Sequence, residues 1–191
     1  MTTFEFVTVL LSIVVGLGLT RLLSGIGRAL ELARTLRFYW VQGVWVLNIA
    51  LALVVFWWAT LYGHVEAEVW AFSNFSLLLL YSVLLYLQAV VIVPADLTKS
   101  TDLEAHFFLM RPWFFSLGML VPMAELGDTY LHGGLERIWG FGPFYVLLSV
   151  SGIIMSAIAL RTTNRRFHGA WCVLYFLGLS SWILARFSAI G

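Results

Sequence analysis

Three polar residues stand seven apart in an otherwise apolar stretch: Asn74, Tyr81 and Gln88. At about 100° per residue, that spacing keeps them within about 40° of one another on a helix. Leu77, Leu78, Leu84 and Leu85 separate them on the same face, with Ser82 and Tyr86 to one side. Polar groups are costly in hydrocarbon, so this sparse line must face other helices or water. One reading makes it the lining of a route for a small cation or proton. Asp96, beyond Pro94, would stand at its end and Asn48 of the preceding stretch would be a partner. The other reading makes it interhelical hydrogen bonding, at about 0.6 kcal/mol per contact.

Glu125, Asp128 and His132 form a second group, spaced i, i+3, i+7 and so on one helical face. Arg186 lies at similar depth in the last apolar stretch, where an ion pair with either carboxylate would neutralise both. Such a group can also receive a cation or a proton. No further ligand spacing supports a metal site. Arg21, within the first apolar stretch, either snorkels to the headgroups or pairs with Asp96. His64 and His132 fall towards one face and His106 and His168 towards the other, the arrangement a b-type dihaem membrane cytochrome would use. All four sit in connections or at the ends of apolar stretches, where rings are poorly held. Haem therefore ranks third among the readings, and no cofactor is expected.

These side chains must be positioned by membrane helices. The chain of 191 residues is 61% hydrophobic and 11% charged, with mean hydropathy +0.93, far from the composition of a water-solvated domain. A span needs about 20 mainly apolar residues, and six are read: 4–25, 38–62, 69–93, 112–131, 139–160 and 167–190. The runs do not alternate as barrel strands do, so the expected fold is one compact all-α bundle. Eight of the eleven Lys and Arg residues, namely Arg28, Arg34, Arg37, Lys99, Arg111, Arg161, Arg165 and Arg166, lie in alternate gaps. Those gaps then face the cytoplasm and both termini face away from it. If the source is prokaryotic, the membrane is the inner or plasma membrane. The opposite side carries Glu5, Glu66, Glu68, Glu125, Asp128 and Glu136 against Arg137 and Arg186. Removing basic residues from that side already accounts for much of this acidic excess.

Several features belong to packing. Arg28, Glu31, Arg34 and Arg37 recur at every third residue, as on a first helix emerging into water. A short interfacial helix is expected after Thr101, within the connection 94–111. Trp40, Trp70, Trp113, Trp139 and Trp171 are read as interfacial anchors. Thr8, Ser12, Gly16, Thr20 and Ser24, like Ser149, Gly152 and Ser156, form ridges for close helix contact. Gly18-x-Thr20-x-Leu22-x-x-Gly25-x-x-Arg28 echoes Gly127-x-Thr129-x-Leu131-x-x-Gly134-x-x-Arg137, a weak pointer to a 3+3 inverted repeat. Met1–Phe4 has no basic residue and no small-x-small site closes the first run, so that run is expected to stay as an anchor.

Catalytic chemistries find no support. Ser151 is deep in the fifth span and every histidine is read at a membrane face, so no Ser–His pair forms. The sole lysine, Lys99, is in a connection, which excludes an intramembrane Schiff base. No P-loop, HExxH or TVGYG-like filter occurs. The single cysteine, Cys172, excludes an internal disulfide, and a net charge of +1 offers nothing for nucleic acid. The expected function is therefore non-enzymatic passage of a small cation or proton by a homo-oligomer in the bilayer. The alternative is an accessory, sensor or scaffold subunit that binds a partner protein or anionic lipid through Arg34, Arg37, Arg161, Arg165 and Arg166. The topology has a direct check. In intact cells, with Cys172 replaced by Ala, cysteines placed at Arg34 and Arg166 should resist a membrane-impermeant thiol reagent. A cysteine at Glu136 should react, and the reverse pattern would invert the topology.

Overall fold

A computed structural model describes residues 3–63 and 72–187, apart from the side chains at 3–4, 62–63, 74 and 186–187. Six helices follow in order: α1 (Thr3–Glu31), α2 (Trp40–Gly63), α3 (Phe72–Ile92), α4 (Leu103–Gly140), α5 (Pro143–Arg161) and α6 (Arg165–Phe187). Each is long and apolar enough to cross a membrane. Large apolar side chains such as Val9, Ile13, Leu17, Leu47, Leu147 and Leu174 are exposed on the outside, as a bundle solvated by lipid requires. α2 is the hub, packing against α1, α3, α4 and α6, while α4 lies between α3 and α5.

Two expected boundaries change. The helix expected after Thr101 does begin there, but it runs on through Pro112 and fuses with the fourth span into α4. Asp102 explains its start: Oδ1 accepts the backbone N–H groups of Glu104 (3.0 Å) and Ala105 (3.1 Å), satisfying donors that a first turn leaves open. At the other boundary, α1 stops at Glu31. Of the basic series, only Arg28 and its partner Glu31 (2.7 Å) are on the helix, and Arg34 and Arg37 follow in the connection. Arg37 Nη1 reaches Asp102 Oδ2 at 2.9 Å, and its carbonyl accepts from Leu103 N, so the α1–α2 connection holds the start of α4. Glu104, in the first turn of α4, forms an ion pair with Arg165 at the start of α6.

The end of α3 poses a stricter demand. Pro94 cannot continue the helix, and its last carbonyls need donors from elsewhere. Three helices supply them. His106 of α4 donates through Nε2 to Val91 O (3.2 Å), Gln42 of α2 to Ile92 O (2.5 Å) and Arg21 of α1 to Val93 O (2.8 Å). Arg21 thus bonds to backbone rather than to Asp96. The end of α5 is treated alike: Thr162 O accepts from Arg111 Nη1 (2.9 Å) and His168 Nε2 (3.0 Å).

The interior differs between its two halves. Towards the Asp102 end it is filled with rings: Trp45 meets Phe114, Phe115 and Trp171 at 5.2, 5.4 and 6.3 Å between centroids. His168 is 0% exposed, enclosed by Phe107, Phe108, Phe115 and Phe167. This corrects the expectation that every histidine lies in a poorly held place. The turn after α5 needs donors, and the buried imidazole supplies one beside Arg111. Trp171 is likewise buried against Trp45 instead of anchoring at an interface.

The backbone N–H of Ala105 holds the Asp102 carboxylate below its usual value of 3.8, aided by Arg37 and the N–H of Glu104. A depressed carboxylate stabilises the fold above 3.8, and that contribution disappears as pH falls through the lower, folded-state value. Asp102→Ala should therefore melt below wild type at neutral pH, with the gap closing as pH falls below 3.8. A gap independent of pH would show that the carboxylate is not the cap.

Candidate functional site

The other half of the bundle is hollow. A cavity of about 400 Å³ lies among α2, α3, α4, α5 and α6, within the range that holds small ligands. Glu125 and Asp128 of α4 line it together with Arg137. Much of the rest is aromatic, including Phe56, Tyr81, Tyr145, Tyr175 and Trp182.

Local sequence explains how an arginine beyond the end of the fourth apolar stretch comes back to this cavity. The α4 backbone breaks at Gly133–Gly134, with Gly134 at φ 62°, ψ −156°, a conformation essentially confined to glycine. The chain turns so sharply that a Cβ at Gly133 would lie 2.8 Å from Arg137 Cβ. The Arg137 guanidinium sits 5.9 Å from the centre of the Phe141 ring, a cation–π distance. Across the cavity, the buried hydroxyls of Thr129 and Tyr145 bond at 3.0 Å and lock α4 to α5. Pro122 lies in the same stretch of α4, opposite Gly152, where a Cβ would be 3.8 Å from Pro122 Cγ. The Ser149–Ser156 ridge is therefore a seam against α4, whereas Gly16, Thr20 and Ser24 of the first ridge are exposed.

The carboxylates have different surroundings. His132 Nδ1 is 2.8 Å from the Asp128 carbonyl and 3.5 Å from Asp128 Oδ1. Glu125 makes no ion pair among the described residues. The helical face inferred for Glu125, Asp128 and His132 is thus present, with the two acids in the cavity wall. Whether Arg186 joins them lies outside the described residues, as its side chain does.

The third-helix line is divided. Tyr81 lines the cavity and stacks on Phe56 at 4.7 Å between centroids. Gln88 is buried and donates to Phe114 O at 3.4 Å. It also lines a second cavity of about 20 Å³ with Trp45, Ser156 and Trp171, and the two cavities share Gly118, Val121 and Tyr175. Asn48, 0% exposed, donates to Cys172 O at 3.0 Å. Asn74 is on α3 with its side chain outside the described residues, and Asp96 is exposed on the segment after α3. Tyr81, Gln88 and Asn48 point into one chain's own interior, whereas a pore on a symmetry axis would need them on the outer surface.

The remaining expected residues separate. Arg34, Arg161 and Arg166 are exposed, while Arg37 and Arg165 are occupied by Asp102 and Glu104. His64 lies outside the described residues, and His106 and His168 direct Nε2 to backbone carbonyls. Among the described residues no group of three or more His, Cys, Asp or Glu could hold a metal ion. The sequence echo does not extend to the backbone: Gly25 is in a continuous helix, while its counterpart Gly134 is in the break. Sequence reasoning missed Arg137 as a cavity residue. Its sign was there to read, a lone arginine in an acidic gap three residues after a Gly-Gly pair.

No protein-family model matches this chain, and neither a curated protein nor a solved structure matches it. The Gly-Gly break can be tested directly. Gly134→Ala should destabilise the protein by about 1–3 kcal/mol through backbone strain, read as a lower midpoint of chemical unfolding in detergent. Gly127→Ala, at an open position on the helix, should change little. Equal midpoints for the two variants would contradict the strained turn.

Proposed function

We propose that this chain is a multi-pass membrane protein that passes a small cation or a proton, taken up at the acidic wall of the cavity. The observation that carries this reading is Glu125, which stands in the cavity wall between helices without an ion pair among the described residues. Ionisable groups within a membrane are costly and mark ion or substrate pathways. The rings around it add faces that attract a cation. In the orientation read from the arginines, the cavity occupies the half of the membrane away from the cytoplasm. The acids then meet ions arriving from that side.

The route is drawn through one protomer, because Tyr81, Gln88 and Asn48 turn inward. An assembly of several copies is not needed to line it. A second reading, an accessory subunit docked through its cytoplasmic face, is favoured by the exposure of Arg34, Arg161 and Arg166. Flux measurements separate the two. Proteoliposomes of wild type should dissipate an imposed proton or potassium gradient, and Glu125→Gln should slow this about tenfold by removing the charge. Wild type that moves neither ion would favour the accessory reading, and Glu125→Gln that conducts as wild type does would remove Glu125 from the route.

A further inference from the structure

From the residue before α2 into its first half, a buried polar side chain stands at every third position: Tyr39, Gln42, Trp45 and Asn48, exposed by only 8, 3, 4 and 0%. The two amides use their nitrogens to bond to the backbones of neighbouring helices. Gln42 Oε1, Asn48 Oδ1, Trp45 Nε1 and the Tyr39 hydroxyl have no hydrogen-bond partner among the described residues. Neither does Nε1 of Trp171, whose ring lies against that of Trp45.

A buried polar atom without a partner costs about 1–3 kcal/mol, and proteins relieve such groups with ordered water. The set here mixes acceptors, donors and a hydroxyl. Water is the one small species that serves all of them. The 20 Å³ cavity lined by Trp45 and Trp171 has room for about one water molecule. Gly118 stands in the wall of both cavities. There the neighbouring Pro122 has no N–H to offer the Gly118 carbonyl, leaving an acceptor at the junction.

α2 runs the length of such a route. Ala52 to Thr60 of α2 line the large cavity, and Tyr39 to Asn48 continue towards the other end. At 1.5 Å per residue, Tyr39 to Thr60 spans about 30 Å, the thickness of the hydrocarbon core. Beyond Tyr39 stand Glu104 and Arg165, paired at the end of the bundle. The Tyr39 hydroxyl can both give and accept a hydrogen bond.

We propose that water held by Tyr39, Gln42, Trp45, Asn48 and Trp171 continues the cavity to the opposite membrane face, and that this route carries protons rather than metal ions. It rests on the reading of Glu125 as the point of entry. None of these five residues is a carboxylate, and the 20 Å³ cavity beside the two indoles has room for about one water, which leaves nothing there to replace a metal ion's hydration shell. A proton needs no such space. Each water accepts one proton and releases another to the next, so one proton enters at Glu125, one leaves beside Glu104, and only O–H bonds form and break. The indoles and amides orient the water and do not exchange protons with it.

Proteoliposome fluxes of protons and potassium, measured side by side, test this. Wild type should carry protons without potassium, and Glu125→Gln should lower proton flux. Trp45→Phe with Trp171→Phe keeps the ring packing but removes both N–H donors, and should lower proton flux several-fold. So should Gly118→Val, since even a Cβ there meets Gln88 Nε2 at 3.2 Å and Ser156 Oγ at 3.3 Å. If Glu125→Gln slows flux but these variants conduct as wild type, the water route is wrong and the entry site stands. Potassium flux matching proton flux also overturns the proton route, and a wild type carrying neither ion overturns both. Should the variants fail to fold, resonance Raman difference spectra of the single Trp→Phe proteins decide. Hydrogen-bonded indole N–H groups support the proposal and free ones overturn it.

Discussion

A helix that ends inside a bundle leaves carbonyl groups that neither lipid nor its own chain can satisfy. The rest of this architecture depends on how that demand is met at the end of α3. Val91, Ile92 and Val93 accept from His106, Gln42 and Arg21, one donor from each of three other helices. These bonds bring α1, α2 and α4 to one point, and Asp102 with Arg37 ties the same end together from the connections. The end of α5 repeats the device with Arg111 and His168. Most of the polar side chains deep in this half of the molecule are thus employed in holding backbone.

That arrangement leaves the two halves unlike. The capped half is packed with rings around Trp45 and His168, and Arg21, Gln42, His106, Arg111 and His168 there are spent on carbonyls. The other half, where the Gly133–Gly134 break folds Arg137 back, encloses a cavity with two carboxylates in its wall. Chemistry is possible where packing is incomplete, and a charged group can persist there because space for water or a ligand offsets its desolvation. The amide oxygens on α2 left without partners, Gln42 Oε1 and Asn48 Oδ1, extend this polar interior past the midpoint of the bundle.

Much of this was legible beforehand. Six apolar runs are enough to expect six helices, because hydrocarbon admits few alternatives. The shared face of Glu125, Asp128 and His132 follows from helical period alone. What periodicity cannot show is which neighbour a face meets. Of the two readings of Arg21, pairing with Asp96 gives way to a bond with the end of α3. His168 and Trp171 looked peripheral from their distance to the end of an apolar run. Tertiary packing drew both inward, since the turn after α5 needed a donor and Trp45 needed a ring to pack on. The fused α4 was hidden by Pro112, which reads as a helix start although a membrane helix tolerates it. Arg137 could be counted in the sequence, but its return to the cavity depends on a glycine conformation that no periodicity reveals.

The central claim is that the interior of a single chain, not an assembly, provides the route. The most direct measurement is proton permeability of vesicles that each hold one chain, with copy number established by counting photobleaching steps of a single attached dye. One-chain vesicles that leak protons above protein-free vesicles, with permeability rising in proportion to copy number, are what the proposed route predicts. Vesicles that stay tight until they hold two or more chains would contradict it.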